Sequence, residues 1–448
     1  MAARVQNLTE GKILSGLIKL ALPLMGTSFV QMAYTLMAMM WVGRLGARSE
    51  AAIGAIGMLL WLSSTLTILT MIGAEVSVGQ SIGGKRLDRA RKFASHATTI
   101  AALIGTTWTL ILFFCGGEIL SFFKLPKDIT HEAFVFLRIL AICLPFQFLS
   151  YTFAGIYNGA GRSSIPFKIN ITGLILNMIL DPILMFVMGF GFYGAAIGSV
   201  ISQLCVFAMF TFLLKTNRNI LGKFPFFIRP DTKYLKRIFF LGTPVSVMNS
   251  IHAFINMNLA RVASIYGGHI GMLTQTTGGQ IEGVTWNTSQ GFSTALSAYM
   301  AQNYAANKPE RGKKAYLYAI RIMLMLGVFV SIMFVLFGHQ IFGLIIPDQE
   351  AMKSGAQYLF VMGLVQIFMM LELTTQGMFN GVGRTIEPAI ISIIFNALRI
   401  PLAYYLASRF GIIGVWWAIA ISTVCKGIIL PLWFMVIYNR MTKKKRNI

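Results

Sequence analysis

Asn158-Gly-Ala-Gly-Arg-Ser-Ser-Ile-Pro166 is answered 222 positions later by Asn380-Gly-Val-Gly-Arg-Thr-Ile-Glu-Pro388. The echo stays in register outside the motif: Gln80 and Asp88-Arg89 return as Gln302 and Glu310-Arg311, and Pro23 returns as Pro244. Solenoid repeats run at about 20 to 50 residues, so a unit spanning half the chain indicates two homologous membrane halves. The seam between such halves is where a transported ligand would bind.

Composition sets the solvent. The chain is 56% apolar and 12% charged, against about 25% charged in soluble domains. Twelve apolar runs longer than about 18 residues recur along it, which reads as twelve transmembrane helices rather than barrel strands. The expected fold is therefore all-α and integral to the membrane, with two six-helix lobes related by a pseudo-twofold axis along the membrane normal. The N-lobe covers 1–216, a basic cytoplasmic linker with Pro225 and Pro230 covers 217–233, and the C-lobe covers 234–448. Residues 1–12 form a polar lead in which no chemistry is legible, and no cleavable signal peptide is evident.

A net charge of +23 would suit a nucleic-acid binder if it lay on one soluble face. Instead the Lys and Arg residues crowd the two tails and the even-numbered connections, so both termini are expected in the cytoplasm and nucleic acid is not an expected partner. Lys85–Lys92, Lys215–Arg237 and Lys443–Arg446 are expected to touch anionic headgroups. The four cysteines, Cys115, Cys143, Cys205 and Cys425, have no close-set pairs and read as buried small hydrophobes.

Of fifteen acidic residues, Glu75, Asp181, Glu282 and Glu372 fall within apolar runs. Each costs about 2.5–3.5 kcal/mol there on insertion scales, so a cavity, an ion or a basic partner should face it. Lys19, Arg138, Arg321, Arg399 and Lys426 are the candidate partners. Asn177 lies one helical turn before Asp181 on the same face, and Ser199 lies about as far past the Gly189–Gly194 turn as Asp181 lies before it. An oxygen cluster of Asn177, Asp181 and Ser199 suits a hard cation such as Na⁺, and the carboxyl can equally exchange a proton; spacing does not choose. In the second half Asn396 and Pro401 match Asn177 and Pro182, while Ile400 stands where Asp181 would fall. Coupling is thus expected in the N-lobe, with Glu282, Glu372 and the helix-seven polar residues Asn249, His252, Asn256 and Asn258 as a second polar locus. Pro23 removes a helical hydrogen bond and permits a hinge in the first helix, near Gln31 and Tyr34.

Together, the two lobes, Trp41-Val-Gly-Arg-Leu-Gly46, Gln80 and Gln302 before basic loops, Asn158-Gly-Ala-Gly-Arg162 and Asn177 to Asp181-Pro182 resemble the multidrug and toxic compound extrusion (MATE) transporters of prokaryotes. The resemblance covers essentially the whole chain. It implies antiport, with inward Na⁺ or H⁺ driving export of amphipathic, often cationic compounds through an interlobe cleft in the inner membrane. It further implies a cation or proton site at Asp181, Asn177 and Ser199. Gln31, Tyr34, Glu282, Glu372 and Asn249 are the candidate cleft residues, Pro23 the hinge and Glu75 a secondary acid. That family usually carries an aspartate three residues before Trp-Val-Gly, where this chain has Ala38. No cofactor besides the coupling ion is expected, and a monomer is.

A lipid-linked oligosaccharide flippase of the wider superfamily is the nearest alternative, since Arg138, Arg321 and Arg399 could meet a pyrophosphate. A membrane-embedded enzyme is the rival from another class, but no paired histidines, HExxH or nucleophile elbow lies in or beside a span.

Overall fold

The structure is a computed structural model. It describes the backbone of residues 7–43, 47–121, 127–216, 221–222, 224–346 and 348–446, and their side chains except at 35–40, 42–43, 47–55, 58, 127–129 and 442–446. Six helices make the first half: α1 (Ile13–Gly43), α2 (Ala47–Gly83), α3 (Leu87–Ser121), α4 (Lys127–Gly159), α5 (Ser164–Pro182) and α6 (Phe192–Thr216). A helical run of 74 residues, Thr232–Ala305, opens the second half. At about 1.5 Å per residue it would greatly exceed a bilayer core of about 30 Å. It breaks at Gly268 (φ 59°, ψ −150°), which divides it into α7 (232–267) and α8 (269–305). Only a residue without Cβ adopts that backbone cheaply. Then follow α9 (Pro309–Gly343), α10 (Gln349–Val382), α11 (Ile386–Phe410) and α12 (Ile412–Arg446). The twelve helices overlap the twelve expected spans. The α7–α8 connection differs from an expected loop because its sequence is helix-compatible on both sides of one glycine.

The repeated motif has one structural meaning in both halves. It ends α4 and α10 in matching Schellman caps, with Gly161 (φ 77°) and Gly383 (φ 82°) in the left-handed region. Gly161 N donates to Asn158 O and Arg162 N to Tyr157 O, as Gly383 N does to Asn380 O and Arg384 N to Phe379 O. These bonds satisfy helix-terminal carbonyls that would otherwise face the membrane boundary unpaired.

The leading helices cross the seam at their starts, while their later parts stay with their own halves: Tyr34 of α1 bonds to Ser199, and Ile255, Leu259 and Val262 of α7 lie in the second-half core. Leu17, Leu20 and Leu24 of α1 belong to the second-half core around Phe334, Trp416 and Phe434. Ile238 of α7 belongs to the first-half core around Phe148, Phe153 and Phe210. At the seam the backbones touch: a Cβ on Gly242 would lie 2.0 Å from Leu69 O, and one on Gly291 would lie 2.7 Å from Met25 Cα. Small residues permit such approach, the usual basis of helix association in lipid.

One expectation changes, and one segment in which the sequence showed no chemistry finds its place. The polar lead is part of the fold: Leu8 is buried, Asn303 Nδ2 donates to Leu8 O at 3.2 Å, and Arg311 Nη2 donates to Glu10 O at 2.6 Å. Of the four free cysteines, Cys143 is buried, Cys205 and Cys425 are half-buried, and Cys115 is exposed. The expected burial thus holds fully only for Cys143, because α3 turns Cys115 outward beside exposed Phe114.

Candidate functional site

Asp181 is the penultimate residue of α5, and Pro182 introduces a π-helical turn over Ile183–Val187. Such turns, in which one extra residue loosens the ladder, are frequent at functional positions. Asn177 Nδ2 donates to Asp181 Oδ1 at 2.9 Å, and both side chains are 1% exposed. Behind the pair, α6 comes so close that a Cβ on Gly198 would stand 2.4 Å from Asp181 Oδ1. The next residue, Ser199, accepts a hydrogen bond from Tyr34 Oη at 2.7 Å. Gln31 Nε2 donates to Tyr151 Oη at 3.2 Å. One neighbourhood therefore gathers Asp181, Asn177, Ser199, Tyr34, Gln31 and Tyr151 from α1, α4, α5 and α6.

The donor set is compatible with Na⁺. Asp181 retains acceptor capacity, the Asn177 carbonyl oxygen remains after its amide has donated, and the hydroxyls of Ser199 and Tyr34 add neutral oxygens. Among the described residues, no three His, Cys, Asp or Glu side chains gather as a transition-metal site would require. Ala38 lies on α1, but its side chain is outside the described residues. Pro23 sits within an unbroken α1, where Thr27 Oγ1 donates to the Pro23 carbonyl at 3.0 Å.

The C-lobe acids lie elsewhere. Glu372 is buried and ion-paired with Lys426 at 2.9 Å, and its Oε1 accepts from Gln376 at 3.1 Å and Ser392 at 3.2 Å. Glu282 accepts from Tyr358 Oη at 3.1 Å. Arg399 donates to Ser422 and Thr423 at 3.0 and 3.1 Å. Asn249 and Asn258 turn back onto carbonyls of their own helix, those of Val245 and Phe254. His252 meets Asn396 Nδ2 at 3.2 Å. The helix-seven face is thus divided between local bonds and the C-lobe interior.

Glu75 is 0% exposed. Asn158 of α4 and Ser297 of α8 face it, yet neither carboxyl oxygen closes a hydrogen bond to a described residue.

Around Glu75 the seam closes through a pair of crossed contacts that the sequence reading did not single out. Gln80 of α2 donates to Gly381 O at 3.0 Å, and Gln302 of α8 donates to Gly159 O at 2.9 Å. Gln80 and Gln302 are repeat equivalents, as are Gly159 and Gly381, so each lobe's glutamine grips the other lobe's motif. Glycine is required there: a Cβ on Gly159 would fall 2.4 Å from Glu75 O, and one on Gly381 would fall 2.6 Å from Ser297 O. The shared register of Gln80 with Gln302 and of the two motifs was the available signal. The glutamines are held differently, since Gln80 Oε1 accepts from Arg237 at 3.2 Å whereas Gln302 Oε1 accepts from the Leu8 amide at 3.1 Å.

The family model described as MatE matches residues 23–183 and 244–405. YoeA of Bacillus subtilis, a probable multidrug resistance protein, is 26% identical and aligns over 88% of this chain and 87% of its own length. NorM of Thermotoga maritima, also a probable multidrug resistance protein, is 24% identical over 94% of this chain and 91% of its own. A crystal structure of MATE in complex with MaD3S is 23% identical, superposes with a TM-score of 0.93 and covers 99% of this chain and 100% of that one. That likeness establishes the twelve-helix fold. With both repeats matched by the family model, this chain is a multi-pass membrane protein that belongs to the MatE family of transporters and is not an enzyme.

Proposed function

We propose that this protein exports small amphipathic or cationic compounds as a cation-coupled antiporter, with H⁺ or Na⁺ bound at Asp181 and Asn177. The single observation that carries the reading is the contrast between a buried carboxyl whose partner among the described residues is a neutral amide and a seam latched at the basic-connection end. A carboxyl without a bonded cation is suited to accept one from solution. In the proposed cycle, the lobes rock about the seam with both termini in the cytoplasm. Cation entry alters the Tyr34–Ser199 contact and so repositions α1, and the crossed glutamines close the cytoplasmic end while substrate leaves outward. The monomer contains all of these parts. The multidrug names of YoeA and NorM support the substrate class.

The flippase alternative has less support. Two of its candidate arginines are engaged: Arg399 with Ser422 and Thr423, and Arg138 with the Phe113 carbonyl and the Phe134 ring.

The test is efflux of ethidium or norfloxacin from cells under an imposed Na⁺ or pH gradient. Asp181→Asn is expected to abolish gradient-driven efflux, and full retention would reject the site. An Ala38→Asp variant run alongside is expected to raise coupling, because it places on α1, which has no acid of its own, a second carboxyl to act with Asp181.

A further inference from the structure

At the seam's basic end, α3 and α7 begin side by side and line a half-open cleft of about 450 Å³. Its wall carries Arg86, Arg89, Lys92, Lys233 and Arg237 against one acid, Asp88. Asp88 is already paired with Arg91 at 3.0 Å, so the cleft keeps a large excess of positive charge. Two helices start here, at Leu87 and Thr232; the α7 start is capped by Asp231, which accepts from Lys233 N at 2.9 Å, so any helix-end attraction for an anion comes from the start of α3.

We infer that this cleft seats the phosphate of an anionic phospholipid headgroup. Phosphate chemistry follows from the five cations and the start of α3. A lipid rather than free phosphate follows from the surroundings: Phe93 and Tyr234 line the cleft, while Leu87, Phe239 and Phe240 on the same two helices are exposed. That surface offers apolar contact to the glycerol and acyl portion. Basic pockets between membrane helices recognise headgroups in this way.

The site also has an address in the fold. Arg237 donates to Gln80, and Gln80 donates to Gly381 across the seam. A headgroup that orders Arg237 therefore steadies one of the two crossed contacts. The other, Gln302, is held by a backbone amide, so the headgroup acts on one contact of the pair. This consequence rests on the proposed cytoplasmic placement of the basic connections, whereas binding itself does not.

The test uses the full-length protein in phosphatidylcholine nanodiscs, titrated with short-chain phosphatidylglycerol, with binding read by calorimetry. Lys92→Ala/Lys233→Ala is expected to weaken binding by roughly tenfold or more. Lys313→Ala/Lys314→Ala, which removes equal charge from the start of α9, is expected to leave it nearly unchanged. Equal weakening by both pairs would reduce the site to diffuse surface attraction and overturn the proposal. So would no weakening by the first pair, or competition by inorganic phosphate at the same concentration as the lipid. Should the first pair prevent folding, Arg89→Gln applies the same criterion. Transport is not measured, so a negative result here leaves the antiport reading standing.

Discussion

Asp181 and Glu372 are both buried carboxyls inside membrane helices, one in each lobe, yet their surroundings differ in kind. Glu372 has a lysine at 2.9 Å and two further donors; among the described residues Asp181 has one neutral amide and the close backbone of Gly198. The lesson is that an intramembrane acid is not by itself a transport residue. A charge fully compensated by its own lobe has little reason to bind another cation, whereas an uncompensated one must find its countercharge outside the chain.

Breaking the compensation should have the largest effect on stability. Lys426→Ala leaves Glu372 buried without its cation, and a loss of about 3–5 kcal/mol is expected, read as a lower melting temperature in detergent. Adding Glu372→Gln to that variant should recover much of the loss; no recovery would mean that the pair does not set the cost.

On the N-lobe side, Gly198→Ala forces a methyl group onto Asp181 Oδ1 and should cost about 1–3 kcal/mol, the range for overpacking, together with gradient-driven efflux. A variant of normal stability and full efflux would show that α6 does not confine the carboxyl.

The crossed contacts extend the comparison to the seam. Gln302→Ala strands the Leu8 amide and the Gly159 carbonyl, an expected loss of about 1–3 kcal/mol. Gln80→Ala strands the Gly381 carbonyl but leaves half-exposed Arg237 able to reach water, so its loss should be smaller. The reverse order would contradict the different ways in which the two glutamines are held.

Smallest in stability is Asp181→Asn, expected to shift it by less than about 1 kcal/mol because the shape is kept and the Asn177 amide can still donate. Efflux should nevertheless fail. That combination separates an acid that works from one that holds the fold together.

Much of the N-lobe site was legible because its decisive relation is local. Asn177 and Asp181 are one helical turn apart, and a helix brings such residues together whatever surrounds them. Ser199 was placed correctly along α6 but not in its bonding: its partner is Tyr34, 165 positions away, and it is Gly198 that abuts the carboxyl. For Glu372 the candidate cations were nameable from the sequence, yet the choice of Lys426, 54 positions away, depended on how α10 and α12 pack.

The sequence alone determined the membrane class, the doubling of one unit and the twelve apolar spans, because hydropathy and period act over short stretches of chain; that the repeated Asn-Gly-x-Gly motif caps two helices was seen only in the fold. Only the tertiary structure decided where each leading helix crosses the seam, which acid is neutralised, and that Gln80 and Gln302 each reach across to the other half's motif. Those outcomes depend on contacts between residues separated by up to 301 positions, and such contacts exist only after helix packing has selected one arrangement among many that the same local preferences allow.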